Sequence, residues 1–318
     1  MTYKVFIDGE EGTTGLKINE YFRNRDDIEL LHIDRDRRKD PEERLSFIKR
    51  ADISFLCLPD AASREIAAAA PDHCRILDTS TAHRTSPEWV YGMPELCGEQ
   101  RKMIRESNRV AVPGCHATGV ILIIKPLIDA GLVSGEYPFA AFSLTGYSGG
   151  GKKMIAQYES PDRIEGAVAA DPLKSPRQYG IAQQHKHLPE IMKAAGLAAP
   201  PSFMPVVADY YSGMEVVIPI RGEHVTAGGC NALEAVREAL KERYAKETLV
   251  SFADRMDEGG FIAANRLAGT NRLEISVDGS EENIIITATY DNLGKGASGA
   301  AVQNMNIMLG IDEGKGLI

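Results

Sequence analysis

Lys4-Val5-Phe6-Ile7-Asp8-Gly9-Glu10-Glu11-Gly12-Thr13-Thr14-Gly15 opens the chain with a short apolar strand, three evenly spaced glycines and a helix start. Such glycines permit a tight turn and let a pyrophosphate approach the unpaired amide groups of the helix N-terminus. The strand before and the helix after are what turn a common spacing into a dinucleotide-binding signature. Gly9, Gly12, Thr13, Thr14 and Gly15 are therefore the expected phosphate contacts. Outward from this stretch, a helical run passes through Leu16, Ile18, Tyr21 and Phe22. Strands are read at Leu30-Leu31-His32-Ile33, Ile53-Ser54-Phe55-Leu56-Cys57-Leu58 and Arg75-Ile76-Leu77-Asp78, with an alanine-rich helix from Ala61 to Ala70. This alternation predicts an α/β fold with a Rossmann-type, doubly wound parallel sheet.

Asp34 closes the second predicted strand, where a carboxylate can bind a ribose 2′-hydroxyl. Arg35, Arg37 and Arg38 crowd the same turn, and guanidinium groups suit a 2′-phosphate. The cluster predicts NADP as cofactor, with Asp34, Arg35 and Arg37 at its adenosine end. The competing reading is a solvated charge run beside a ribose-binding Asp34.

A second signature lies at Ala111-Val112-Pro113-Gly114-Cys115-His116-Ala117-Thr118-Gly119. A strand end from Arg109, a Pro-Gly turn and a long apolar helix place Cys115 at a helix N-terminus. There the backbone N–H groups and the helix dipole favour thiolate, the nucleophilic form. Covalent catalysis by Cys115 is the reading; a space-filling buried cysteine is the alternative. A base near the sulfur would then be required, and histidine suits that at neutral pH. His116 is a poor partner, since consecutive helix residues point about 100° apart. The pair His185 and His187 is the better candidate.

Beyond the cysteine helix, longer strand-like runs appear at Phe139 to Leu144, Met214 to Ile220 and Ile284 to Tyr290. They predict a second, α+β domain with a mixed or antiparallel sheet. A last helix, read as amphipathic, runs from Ala297 to Leu309. The expected domains are 1–116, completed by the C-terminal segment 291–318, and 117–290. Ser148-Gly149-Gly150-Gly151 follows an apolar strand and precedes a helix, where backbone N–H groups can hold phosphate or the nicotinamide end of a cofactor.

At 318 residues, 43% of them hydrophobic, the chain can bury cores for two domains. A net charge of −9 argues against broad nucleic-acid binding. No apolar stretch approaches the roughly 20 residues that span a bilayer, so no membrane partner is expected. Five cysteines, odd in number and widely spaced, form neither a disulfide framework nor a metal site. The N-terminus leads straight into a strand rather than a signal peptide, and a cytoplasmic location is expected.

With both signatures in place, the sequence resembles the short-form N-acetyl-γ-glutamyl-phosphate reductases, relatives of aspartate-semialdehyde dehydrogenase. The resemblance rests on Val112-Pro113-Gly114-Cys115, on Ser148-Gly149-Gly150-Gly151-Lys152-Lys153 and on His185-Lys186-His187-Leu188-Pro189-Glu190-Ile191. It also rests on the run from Asp291-Asn292-Leu293-Gly294-Lys295-Gly296 to Gln303-Asn304-Met305-Asn306. It implies NADPH-dependent reduction of an acyl phosphate to a semialdehyde through a Cys115 thioester, in a homodimer or homotetramer. It assigns the base to His185, with His187 and Glu190 as orienting neighbours. Cofactor contacts are implied at Ser148, Gly149, Gly150 and Asn292, the last to the nicotinamide carboxamide. Substrate contacts are implied at Thr145, Gly146, Arg84 and His187, with Lys153 a second cation. One departure stands out: Tyr210-Tyr211-Ser212 precedes Gly213, where the family often has an arginine. The rivals are another phosphorylating aldehyde dehydrogenase, a non-catalytic NADP-binding redox sensor, and a cysteine acyltransferase or hydrolase.

Overall fold

The computed structural model describes residues 2–161, 163 and 171–318. The chain divides into two compact units: Met1–Gly114 with Ala297–Ile318, and Cys115–Gly296.

In the first unit the elements are β1 (Tyr3–Asp8), α1 (Thr13–Phe22), β2 (Ile28–Leu31), α2 (Pro41–Arg50) and β3 (Ile53–Leu56). α3 (Asp60–Ala69), β4 (Ile76–Asp78), β5 (Val90–Tyr91), α4 (Gln100–Glu106) and β6 (Arg109–Ala111) follow. The sheet has the order β2-β1-β3-β4-β6-β5, every pairing is parallel, and the expected doubly wound sheet is present. All four residues of β3 are buried, as a strand covered on both faces requires. Phe6, Phe47, Ile48, Leu56, Ile66 and Ile76 pack into one core beneath it. β2 stops at Leu31, two residues short of the expected end, so Asp34 sits in an exposed turn that leads to α2. α2 starts there because Asp40 caps it, its carboxylate accepting the amides of Glu42 and Glu43.

The C-terminal helix, Gly299–Leu309, belongs to this unit and is not amphipathic: Gly299 through Met308 are all buried. Its polar residues are satisfied internally. Gln303 donates to Glu95 and Glu313, Asn304 to the Gly92 carbonyl, and Asn306 to the carbonyls of Glu313 and Lys315. The expected amphipathic helix is thus buried on every side from Gly299 to Met308.

In the second unit α5 (Cys115–Asp129) is followed by β7 (Ala140–Gly146), α6 (Gly151–Tyr158), β8 (Arg177–Gln178), α7 (Leu188–Ala195) and β9 (Ser202–Ala208). β10 (Met214–Arg221), α8 (Ala232–Tyr244), β11 (Val250–Phe252), β12 (Leu273–Gly279) and β13 (Asn283–Tyr290) complete it. The sheet, ordered β11-β12-β13-β10-β7-β9-β8, is mixed, with β11–β12 and β7–β9 parallel. α5 is apolar all round and buried from His116 to Ile124, the pattern of an internal helix. Among the described residues no helix is long and apolar enough to cross a membrane.

Candidate active site

The glycine turn of the first unit is compressed as the sequence pattern requires. Gly9 has φ of +89°, and a Cβ there would lie 2.4 Å from the Cys57 carbonyl oxygen. A Cβ on Gly15 would meet the Gly9 carbonyl at 2.5 Å. Gly12 caps α1 with no side-chain hydrogen bond, and the first turn carries no acidic residue. The N-terminus of α1 is therefore open to an anionic ligand, which fits a dinucleotide phosphate.

Beside it lies a cavity of about 730 Å³ whose lining includes Gly9, Ile33, Arg35, Arg38, Arg44 and Pro59. Arg44 holds the buried Asp8 through two contacts of 2.9 and 3.0 Å. Burial outweighs that pairing and raises the Asp8 carboxyl above its usual range. Arg35 and Arg38 both pair with Glu11. Arg37 pairs instead with Asp40 and Glu43 at the start of α2, and neither it nor Asp34 lines the cavity. The cationic wall thus comprises Arg35, Arg38, Lys39 and Arg44, and of the two expected arginines only Arg35 is part of it.

In the second unit Cys115 is the first residue of α5. The phenol of Tyr290 donates to the Cys115 carbonyl at 2.7 Å and accepts the Gly119 amide at 3.1 Å, so it bridges the first helical turn. Gly119 is obligatory here, because a Cβ would lie 2.7 Å from the Tyr290 oxygen and 2.8 Å from Val216.

Next to the thiol, His116 turns inward to a cluster with His185, His187, Tyr179 and Phe203, its ring centroid 5.5 to 6.0 Å from each. Its Nδ1 is 2.6 Å from Ser143 Oγ and its Nε2 2.6 Å from the Tyr179 hydroxyl. Burial pushes His116 down to about 3, so the ring is neutral and carries one proton. Ser143 is fully buried, and among the described residues its hydroxyl meets only this Nδ1. A buried O–H without an acceptor costs about 1–3 kcal/mol. Ser143 therefore donates to Nδ1, and the His116 proton sits on Nε2, donated to Tyr179.

His185 is held by its own segment. Gln183, at φ of +54°, clamps Phe203 through both ends of its amide, at 2.7 and 2.8 Å. The His187 amide donates to His185 Nδ1 at 3.2 Å. Burial, aided by Lys186, lowers His185 to about 4. The neutral ring thus carries its proton on Nε2. His187 is buried at the start of α7, its Nε2 3.9 Å from the buried Glu190.

The remaining candidates divide differently. Asn292 is buried, its oxygen accepting the Gly213 amide at 2.9 Å and its nitrogen donating to Ser148 Oγ at 2.9 Å. Asn292 and Ser148 therefore tie the glycine run to the Gly213 turn. Gly149 abuts that amide, and a Cβ on Gly150 would collide with Met154. Thr145 is buried, and Gly146 lies against the carbonyls of Tyr210 and Tyr211. In the first unit, Arg84 is buried and donates to the carbonyls of Val112 and Thr79. Among the described residues no His, Cys, Asp and Glu group could hold a metal ion.

Comparison with known proteins bears on the same two units. Residues 4–104 match the semialdehyde dehydrogenase NAD binding domain and residues 115–292 the semialdehyde dehydrogenase dimerisation domain. The chain is 41% identical over 323 residues to N-acetyl-gamma-glutamyl-phosphate reductase 2 of Nostoc sp., covering 99% of each. It is 42% identical to the protein of the same name from Pseudomonas putida, covering 96% of each. The chain belongs to the N-acetyl-gamma-glutamyl-phosphate reductase family. Its fold is also that of aspartate semialdehyde dehydrogenase II of Vibrio cholerae, at a TM-score of 0.71 and 17% identity over 97% of this chain and 98% of that one.

The sequence reading weighed His116 and set it aside, and it singled out none of Tyr179, Ser143 and Tyr290 for a place beside Cys115. These three lie on strands or loops far from Cys115 in sequence, and no spacing rule connects them. His116 was set aside because adjacent helix residues diverge. That divergence is what aims its ring at Tyr179 and His185.

Proposed function

We propose that the chain catalyses the reversible, NADPH-dependent reduction of N-acetyl-L-glutamyl 5-phosphate to N-acetyl-L-glutamate 5-semialdehyde and phosphate, a step of arginine biosynthesis. The observation that carries the chemistry is Cys115 at the N-terminus of α5, with His116 next to it in the chain and His116 and His185, in ring contact, both kept neutral by burial. The Cys115 thiolate attacks the acyl carbon: a C–S bond forms, the C–O bond to phosphate breaks, and its electron pair leaves with phosphate. NADPH, when bound, supplies a hydride equivalent; Gly9, Gly12, Thr13, Thr14 and Gly15 would hold its phosphates, with Arg35, Arg38 and Arg44 at its adenosine end. In each tetrahedral species on Cys115 the acyl oxygen carries negative charge. With Nδ1 committed to the His187 amide, His185 meets that oxygen as a donor through Nε2–H. Collapse of an oxyanion with loss of thiolate needs no base, so we assign His185 a donor role in place of the base first expected.

We read Thr145, Gly146 and His187 as the walls of the substrate pocket and the dimerisation domain as forming a homodimer or homotetramer. A cytoplasmic location fits a biosynthetic enzyme. The test is phosphate-dependent NADPH formation on adding N-acetylglutamate semialdehyde. Wild type gives it and Cys115→Ser does not. A redox sensor gives none in either, and turnover by Cys115→Ala removes the thioester route.

A further inference from the structure

We infer that Arg177 binds the α-carboxylate of the substrate and so sets the preference for an N-acylated amino acid over a simple aldehyde. The inference deepens the proposed reading of the chain as an acyl-phosphate reductase and rests on it. One row crosses the sheet of the second unit: Tyr290 on β13, Met214 on β10, Thr145 on β7, Val207 on β9 and Arg177 on β8 are successive pairing partners. Paired residues share a face, so all five side chains stand on one side of the sheet. At one end of the row the Tyr290 phenol donates to the Cys115 carbonyl at 2.7 Å. Two residues along the same face, Ser143 and Tyr179 hold the ring of His116, the residue after Cys115. They share a row because both pair with Pro205. The start of α5 is thus fixed over this face at two points, and Arg177 closes the row at its other end.

The chemistry at that end calls for an anion. Arg177 donates to the Tyr158 hydroxyl at 2.9 Å, and its guanidinium lies 5.4 Å from the centre of that ring. Tyr158 is buried and stacked on Tyr147, so the contact anchors the side chain. Among the described residues no carboxylate pairs with Arg177, and its enclosed Nε meets no acceptor. A guanidinium offers five N–H donors in a planar fork that matches a carboxylate. Arg163, which also packs on Tyr158, is taken by Asp171 and Asp209. The cations first expected are placed differently: Arg84, in the first unit, donates to backbone carbonyls, and Lys153 is exposed. Span also selects the carboxylate. Thr145 and Arg177 stand two strand spacings apart, about 10 Å. An extended arginine reaches about 6 Å from its Cα, and a glutamyl chain about 5 Å from acyl carbon to α-carboxylate. An acyl carbon at Thr145 therefore puts the α-carboxylate at Arg177. The departing phosphate, joined to the acyl carbon through one oxygen, lies a substrate length away.

The test compares two aldehydes on the full chain: N-acetylglutamate 5-semialdehyde and 4-acetamidobutanal, which lacks only the carboxylate. Phosphate-dependent NADPH formation is measured with each, beside thermal melting. Wild type should prefer the acid by about 10- to 100-fold in kcat/KM, the scale of a hydrogen bond between charged groups. Arg177→Met should lose that factor with the acid, mainly through KM, and leave kcat/KM for 4-acetamidobutanal nearly unchanged. Arg177→Lys, which keeps the charge without the fork, should fall between. Equal losses with both aldehydes would show a structural role for Arg177 and overturn the inference. An unchanged preference in Arg177→Met overturns it too, as does a raised KM for phosphate with either aldehyde. A wild type that uses both aldehydes equally has no carboxylate contact to lose and ends the matter there. If Arg177→Met does not fold, the same ratio in Arg177→Lys decides. Failure of the underlying reading looks different, because wild type would then turn over neither aldehyde.

Discussion

Arg37 and Arg38 are neighbours in the sequence and occupy different environments. Arg37 is held by Asp40 and Glu43 at the cap of α2, whereas Arg38 reaches the cavity beside the glycine turn and pairs with Glu11. A 2′-phosphate would compete with Glu11 for Arg35 and Arg38, replacing one carboxylate with a dianion. Arg38→Ala should therefore weaken NADPH binding by about one to two decades, the scale of a hydrogen bond between charged groups, and leave NADH binding nearly unchanged. Arg37→Ala should leave NADPH binding within about threefold and act instead on the start of α2, where an exposed ion pair contributes little. Fluorescence titration of both cofactors decides it; equal loss in the two variants would place the phosphate elsewhere. The cationic turn was legible from Arg35, Arg37 and Arg38. Which guanidinium faces inward was not, because it depends on Asp40 capping α2 and on Glu11 lying across the cavity. Asn292 shows the same limit. Its place after a strand marks it as important, but only its partners, the Gly213 amide and the Ser148 hydroxyl, show that it braces the glycine run.

The helices that frame the site were read correctly as helices and less well as surfaces. α5 was placed from the apolar run after Cys115, and its position follows from Tyr290, which lies 175 residues away in the chain and bridges the first turn. Tyr290→Phe removes both bonds and leaves a half-buried carbonyl and a buried amide to find each other across the vacated space. The expected cost is about 1–3 kcal/mol of stability, with kcat falling and KM for substrate little changed because the thiol loses its register. Calorimetry and steady-state kinetics check it; a variant with wild-type kcat would separate that bridge from catalysis. The C-terminal helix makes a second case. Truncation after Gly296 strips a fully buried layer from the first unit and leaves Glu95 and the Gly92 carbonyl without Gln303 and Asn304. Such a chain should not bind NADPH, and a retained affinity would show that the parallel sheet stands without that helix. The amphipathic reading failed because the polar side chains of Gln303, Asn304 and Asn306 find their partners inside the unit.

Across the whole molecule, the buried imidazoles of the proposed site also set its response to acid. His116 and His185 are neutral in the folded chain, held by burial at about 3 and about 4, against an ordinary 6.5. Unfolding releases both to their ordinary behaviour. Between about pH 6.5 and pH 4 the unfolded chain therefore binds protons that the folded chain refuses, and stability falls as pH falls through that window. Above pH 6.5 both states hold neutral rings and the contribution vanishes. The slope for the buried His116 is about 1.4 kcal/mol per pH unit. The half-buried His185 adds a smaller share, since solvent screens it. A net charge of −9 works in the opposite direction, because protonating surface carboxylates relieves self-repulsion, but exposed charges are individually weak. Thermal midpoints should thus decline steadily from pH 6.5 to pH 4.5, with little change between pH 7 and 8. His116→Gln, which keeps an amide in place of the ring but cannot titrate, should flatten that decline even if it lowers the midpoint at pH 7. A midpoint that stays level or rises on acidification would mean that the imidazoles take up protons in the folded state. His185 would then enter the reaction as a cation.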